Sequence, residues 1–457
     1  VRALTERPRP SAIRDHPAAG WFAVGSVCFG AFMGQLDASI VTLIFPALQR
    51  EFAQPLAAVQ WVSLAYLLAL IGSLAAVGRF ADSYGRKLLY VYGFAVFTAA
   101  SAACGVAPTL WVLIVFRVLQ AIGAAMLQAN SVALVVTSVG KSHARAALGV
   151  QAAAQALGLA AGPAVGGLLV DSLGWRYVFL VNVPVGILGL IAGQFLLPRT
   201  RDSARPGRFD WLGAILLATA STTLLLAVSV FSGLALPLWS IPTMVVAGIA
   251  CAAALIRRER RIDHPVIDPT VLRPAAVSMG LVGALCGYLV LFGPLTLLPQ
   301  LHGGHGGVGL VLSCLPAGFA LAAVCGERIL PASVGTRVRA VGGAAVATFG
   351  CLALLLSHRP DVATAAALFG TGVGLGMFIP ANNAAIMRAV PTRMSATGGG
   401  MVNMARGLGT ALGVTLVALC LHTGGSAGAQ VALGVLAGAG VIAGISAIRS
   451  PAVIVTP

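Results

Sequence analysis

The sequence predicts an all-α membrane protein: two pseudo-symmetric six-helix bundles with two helices inserted between them, fourteen spans in all. Three observations predict it. Of 457 residues, 58% are hydrophobic and only 9% charged, with a mean hydropathy of +0.94, which leaves too little polar surface to cover a soluble globule. The apolar residues fall into fourteen runs, each near the roughly 20 residues that a helix needs to cross a hydrocarbon core. Glycines recur with one spacing in two runs, one in each half of the chain.

In order, the spans are expected at 21–45, 59–78, 88–107, 110–135, 147–170 and 177–197, then 211–231 and 238–256, then 276–300, 308–326, 340–356, 363–387, 397–420 and 429–448. The first follows a tail bearing Arg2, Arg7, Arg9 and Arg14. It is longer than a signal-peptide core and lacks a clear cleavage site, so it reads as a retained span. The seventh and eighth hold no ionisable residue within their apolar runs and sit between arginine-rich connections. This divides the chain into a bundle with its tail (1–197), a two-helix insertion (198–274) expected outside the central path, and a second bundle (275–457).

The formal charge of +16 and pI near 10.6 could suggest a nucleic-acid partner, but such a protein concentrates its cations on one face of a polar domain. Here they lie in short gaps between apolar runs. The N-terminus, the even-numbered connections and the C-terminus hold 24 of the 29 Lys and Arg residues. The odd-numbered connections hold only Arg50, Arg176 and Arg359, and Arg117 and Arg406 lie within spans. The positive charge is thus a topology signal that places both ends in the cytoplasm, with no nucleic acid implied. Two lysines against 27 arginines, with abundant Ala and Gly, suggest a GC-rich bacterial genome and hence a multi-pass protein of the cytoplasmic (inner) membrane. All eight cysteines fall in apolar runs and read as packing residues.

The repeat pairs Gly149, Gly158 and Gly162 of the fifth span with Gly400, Gly409 and Gly413 of the thirteenth, at an offset of 251 residues. Ala129-Asn130 and Ala381-Asn382 recur at nearly the same offset. Paired six-helix halves are an architecture of membrane transporters.

Among the 13 acids only Asp37 lies well inside a span, about 24 Å along its helix at 1.5 Å per residue. A carboxyl there is costly unless paired, hydrated or protonated, and one that alternates between those states can couple a proton to a cargo. The competing expectation is a structural acid paired with a neighbouring polar helix. Arg117, six residues into the fourth span, is a costly and usually functional cation there, the competing expectation being one that snorkels or pairs structurally, and Gln120 lies one turn away. Gln35, Gln120, Gln128, Gln151, Gln155, Asn382, Asn383, Asn403 and Arg406 are candidates for lining a mainly apolar interior, some of them serving instead as glue between helices. An ATP-driven pump is disfavoured because Gly140-Lys141-Ser142 has Val135 where a phosphate-binding loop needs glycine. A redox subunit or metal enzyme would need clustered ligands within spans, whereas His302 and His305 sit in a glycine-rich connection. No enzyme activity and no metal are expected.

Several motifs carry a resemblance. Gly78, Asp82, Gly85, Arg86 and Lys87 form a G-x-x-x-D-x-x-G-R-K connection after the second span, and Arg117, Gln120 and Gly123 follow an R-x-x-Q-G-x-G pattern except that Ala121 replaces a glycine. Gly158, Gly162, Pro163, Gly166 and Gly167 spell G-x-x-x-G-P-x-x-G-G. With Leu36 to Val41, Trp61 to Leu68, Trp175 to Gly186, and Asn403, Arg406, Gly407 and Gly409, the chain resembles the major facilitator superfamily over nearly its whole length, in its fourteen-span drug:proton antiporter branch. The resemblance implies efflux of small lipophilic compounds, cationic ones included, by proton-coupled antiport. It implies Asp37 and Arg117 as the proton-coupling pair, the connection around Asp82 as a conformational latch, and the glycine-proline run as the antiporter motif. The implied partners are a small-molecule substrate, protons and the lipid bilayer, with no cofactor beyond the proton gradient and a monomeric state. The connection from Gly326 to Gly335 lacks the acid-and-glycine spacing of the first-half latch. Export of a lipid or siderophore, nutrient import or uniport, and a non-transporting membrane sensor are the other readings. An interior of scattered amides rather than many charges favours a lipophilic cargo over a sugar or anion.

Overall fold

The computed structural model describes residues 9–200, 210–262, 269–302, 306–329, 335–356, 361–391 and 395–449. Among the described residues fourteen helical segments are long and apolar enough to cross a membrane, the sixth counted together with the short helix Arg176–Leu180 that precedes it. The first six are α1 (Ala19–Ile40), α2 (Trp61–Tyr84), α3 (Arg86–Gly105), α4 (Leu110–Gly140), α5 (Ala146–Ser172) and α6 (Asn182–Leu196). The inserted pair is α7 (Trp211–Phe231) and α8 (Ser240–Glu259). The last six are α9 (Ala275–His302), α10 (Gly306–Ile329), α11 (Thr336–Leu354), α12 (Val362–Ala389), α13 (Ser395–Thr423) and α14 (Gly428–Arg449). Among the described residues there is no strand. His305 lies outside the described residues.

Prolines and glycines set the breaks. After α1 the chain tightens into a 3-10 turn over Val41–Ile44 and resumes as a short helix, Phe45–Phe52. Pro46 has no N–H to return to the Thr42 carbonyl, so a regular α-turn cannot form there. In the same way Pro184 cannot bond back to Leu180, and a short helix Arg176–Leu180 is parted from α6 at Val181. Asn182 thereby stands at a broken turn. Gly140, at φ 74 and ψ 171, is the non-helical kink at which α4 ends before the chain enters α5, a conformation a side chain would strain.

The connection after α2 differs from expectation. α2 continues through Gly78 to Tyr84, and Gly85 alone, at φ 103, makes the turn into α3. Asp82 and Arg86 therefore belong to different helices, because Gly85 interrupts the helix between them. Gly78 is a helical residue whose missing Cβ would meet nothing within 4 Å. The Asp82 side chain lies outside the described residues. Lys87, fully buried, donates Nζ to the Leu197 carbonyl at 2.8 Å, a cation at the C-terminal end of α6 where the helix dipole favours it.

Each half buries its own apolar core. One cluster centres on Phe45, Tyr90, Phe94, Phe97 and Phe179, the other on Leu295, Leu312, Leu368 and Phe378, and the second takes in Leu43 and Leu159 from the first half. The glycine repeat is a packing repeat. A Cβ at Gly158 would fall on the Phe32 carbonyl of α1, and one at Gly409 on the Leu285 carbonyl of α9. Gly162 and Gly413 meet the same partner helices at Ser39 and Leu289, while Gly149 and Gly400 face open space. Small residues thus let α5 lie on α1 as α13 lies on α9. The asparagines of the repeat diverge: Asn130 donates within its own helix to Met126, and Asn382 crosses to the Gly280 carbonyl.

The inserted pair packs on itself through Gly248 against Thr223 and Leu224. It docks on α2 where Gln60 Nε2 and Trp61 Nε1 donate to Ser229 Oγ at 3.1 and 3.2 Å. Gly233, at φ 93, lies against the His422 ring of the second half. At the far ends of the pair Arg258 grips Asp210, with Nη2 2.8 Å from Oδ1.

Candidate functional site

Asp37 and Arg117 face each other across α1 and α4, their side chains 0% and 1% exposed, with Nη1 2.8 Å from Oδ2. Every oxygen of the acid is used. Oδ1 accepts from Gln120 Nε2 at 3.0 Å and from Asn182 Nδ2 at 3.1 Å. Gln120 completes the ring, accepting from Arg117 Nη1 at 2.6 Å and donating to Ser101 Oγ at 2.7 Å. Arg117 Nε donates to the Val62 carbonyl at 3.1 Å, and its guanidinium lies 4.1 Å from the Tyr66 ring centre and 5.6 Å from that of Phe179. A buried charge pair is tolerated when good geometry and extra hydrogen bonds satisfy its remaining lone pairs and protons. Both expectations for Asp37 thus meet at one place: the acid is paired, and its partner is the other candidate for proton coupling.

Beside this cluster a cavity of about 330 Å³ lies between the halves. Four helices of each half line it: α1, α2, α4 and α5 with α9, α10, α12 and α13. Among the described residues none from α7 or α8 does. Arg117 reaches the wall while Asp37 behind it does not. Tyr66, Tyr288, Phe292 and Phe319 supply aromatic surface, and Gln35, Gln128, Gln155, Asn383, Asn403 and Arg406 supply polar groups. A smaller chamber of about 120 Å³ continues along α1 and α4 to Gly30 and Val132, sharing Gln35, Gln128, Gln155, Asn403 and Arg406 with the first. Arg406 Nη2 donates to Gln128 Oε1 at 2.7 Å, joining α13 to α4 across the two halves.

Three of the expected lining residues point elsewhere. Gln120 is fully buried in the Asp37 ring, Asn382 is held by Gly280 of α9, and Gln151 is buried to 2% with Nε2 unpartnered. Helix rotation decides which side of a span an amide faces, and composition does not reveal it. Asn182 was missing from the candidates, although the only signal available was its place two residues before Pro184. Its Oδ1 is buried and without a partner.

The glycine-proline run occupies two faces of α5. Gly158, Gly162 and Gly166 abut α1 at Phe32, Ser39 and Ile40, flanking Asp37. On the other face the Pro163 carbonyl and Gly167 lie where a Cβ on Gly309 of α10 would fall. α5 ends at Ser172 and α10 begins at Gly306, so this contact closes the halves toward the odd-numbered connections. The smaller chamber extends the other way.

A family model described as Major Facilitator Superfamily matches residues 27–414. The chain is 30% identical over 398 residues to the multidrug resistance protein Stp of Mycobacterium tuberculosis (strain CDC 1551 / Oshkosh), covering 85% of this chain and 73% of that one. It is 29% identical over 442 residues to the tetracenomycin C resistance and export protein of Streptomyces glaucescens, covering 90% and 79%. The crystal structure of a POT family transporter with a thioalcohol-conjugated peptide superposes with a TM-score of 0.72 at 14% identity, over 95% of this chain and 97% of that one. At that identity the likeness is one of fold.

Proposed function

Because the chain belongs to the major facilitator superfamily, we propose that it exports small lipophilic molecules in exchange for protons. The observation that carries this reading is Arg117, which touches the cavity with one side of its guanidinium and Asp37 with the other. A proton reaching Asp37 would remove the charge that holds Arg117, freeing a cation toward the cargo. Loss of the proton would draw Arg117 back. Gln120 and Asn182 keep the acid in place through both states, and the α5 glycines hold α1 close enough for the ring to form. Alternation of the two halves about the cavity then carries the cargo across.

The distribution of Lys and Arg supports insertion in the bacterial inner membrane with both ends cytoplasmic. On that orientation the Gly309 contact closes the outer side and the cavity extends inward. The protein works as a monomer, with no cofactor other than the proton gradient and with protons, cargo and lipid as its partners. Two relatives named for resistance and export favour efflux over nutrient uptake.

Complete burial of Asp37 also fits a purely structural ion pair, and one experiment separates the two readings. Asp37→Asn is reconstituted in vesicles, and uptake of a panel of aromatic dyes is driven by an imposed pH gradient. Loss of gradient-driven uptake, with a monodisperse protein and retained dye binding, supports coupling. Uptake at the wild-type rate would remove Asp37 from the mechanism.

A further inference from the structure

Two guanidiniums reach the cavity wall, and only one of them has a counter-charge. Arg117 is neutralised by Asp37 at 2.8 Å. Arg406 is not neutralised. Its partners are the amide oxygen of Gln128 at 2.7 Å and the Tyr288 phenol, both uncharged. No Asp or Glu is among the described residues lining either chamber, and no described carboxylate lies within ion-pair distance of Arg406. The cavity therefore carries a full positive charge on a wall whose other described residues, apart from the paired Arg117, are aliphatic, aromatic, hydroxyl and amide.

An uncompensated charge inside a span is unfavourable, and residues of this kind pair with another group or mark a substrate path. A bound anion supplies the missing charge, whereas a bound cation adds like-charge repulsion in a medium that screens it poorly. We infer that the cargo is an amphipathic organic anion: a planar aromatic body seated among Tyr66, Phe292 and Phe319, with a carboxylate, sulfonate or phenolate turned to Arg406. This rests on the transport reading of the cavity and deepens it, and it replaces the cationic compounds admitted by the sequence. Arginine suits the task because its planar fork matches an oxyanion and stays charged at any working pH.

Fluorescein and rhodamine 123 share a xanthene core and differ in charge, so they test the inference directly. Binding to the purified full chain in detergent is followed by fluorescence anisotropy at mildly alkaline pH. Fluorescein should bind about tenfold or more tightly than rhodamine 123. Arg406→Gln should remove that preference, and Arg406→Lys should keep most of it. Gln128→Ala cuts the tether between the halves without touching the charge, and it should leave the preference intact. If Arg406 were only glue between the halves, Gln128→Ala and Arg406→Gln would behave alike. Equal or tighter binding of rhodamine 123, an unchanged preference in a well-folded Arg406→Gln, or binding of neither dye overturns the inference. No gradient enters this measurement, so its failure leaves proton-coupled export standing, and failure of gradient-driven uptake leaves the charge preference standing.

Discussion

Gly162 of α5 lies so close to Ser39 of α1 that a Cβ at the glycine would coincide with the serine hydroxyl. Ser39 in turn donates that hydroxyl to the Gln35 and Leu36 carbonyls at 3.1 and 3.2 Å, bonds that span the turn carrying Asp37. The glycine-proline run of α5 is therefore a mould for the helix that holds the buried acid.

Adding a methyl group on this face should show which neighbour can give way. Gly158→Ala meets the main chain of Phe32 and should cost about 1–3 kcal/mol with loss of transport. Gly162→Ala meets a side chain, so Ser39→Gly in the same protein should restore part of both. Thermal unfolding in detergent and vesicle transport read the two effects, and a Gly158→Ala protein that transports normally would contradict the mould.

Arg117→Met strands Asp37 in the first bundle without its cation. The cost should be about 3–5 kcal/mol, and adding Asp37→Asn should return most of it, because the penalty lies in the unpaired charge. A double variant no more stable than Arg117→Met alone would mean that Arg117 acts through packing on Tyr66 and Phe179 instead.

The fourteen apolar runs and the presence of Asp37 and Arg117 inside spans were legible in the sequence, because length and a lone intramembrane charge are local properties, whereas their ion pair joins residues 80 apart. The glycine repeat was legible as a spacing, and the structure turns it into matching α5-on-α1 and α13-on-α9 contacts. What the sequence hid was rotational and long-range. Gln120 and Asn382 look the same as Asn383 in a list of amides, yet one third of a helical turn sends Asn383 to the cavity and Asn382 to Gly280. Asn182 reaches Asp37 from 145 residues away, and its place two residues before Pro184 marks a broken turn without saying what it faces. Gly78 was legible as part of a motif, but its motif spacing does not say that the helix runs through it.

The inserted helices should be separable from transport. Ser229→Ala removes the acceptor for Gln60 and Trp61, and interhelical hydrogen bonds of this kind are worth about 0.6 kcal/mol each in a bilayer. A loss of about 1 kcal/mol in stability with unchanged dye uptake is expected. A strong transport defect in a stable Ser229→Ala protein would tie α7 to the working cycle.

Gly309→Leu should hold the halves apart at the end where α10 meets Pro163 and Gly167. Cargo binding should persist while transport stops, and cysteines introduced near that end should react with a membrane-impermeant thiol reagent more readily than in the unsubstituted background. Unaltered reactivity together with full transport would show that this contact is not a gate.

At Gly309 the meeting of α5 and α10 is made of main chain, the Pro163 carbonyl and Gly167 lying where a Cβ would fall. Parting such surfaces leaves no ionic group to rehydrate and no rotamer to reset, so little but dispersion attraction resists it. The cavity wall, in contrast, is made of side chains such as Arg406, Asn403 and Tyr66. Selection can therefore alter the cavity wall by point changes while the glycines and proline at the α5–α10 contact stay as they are.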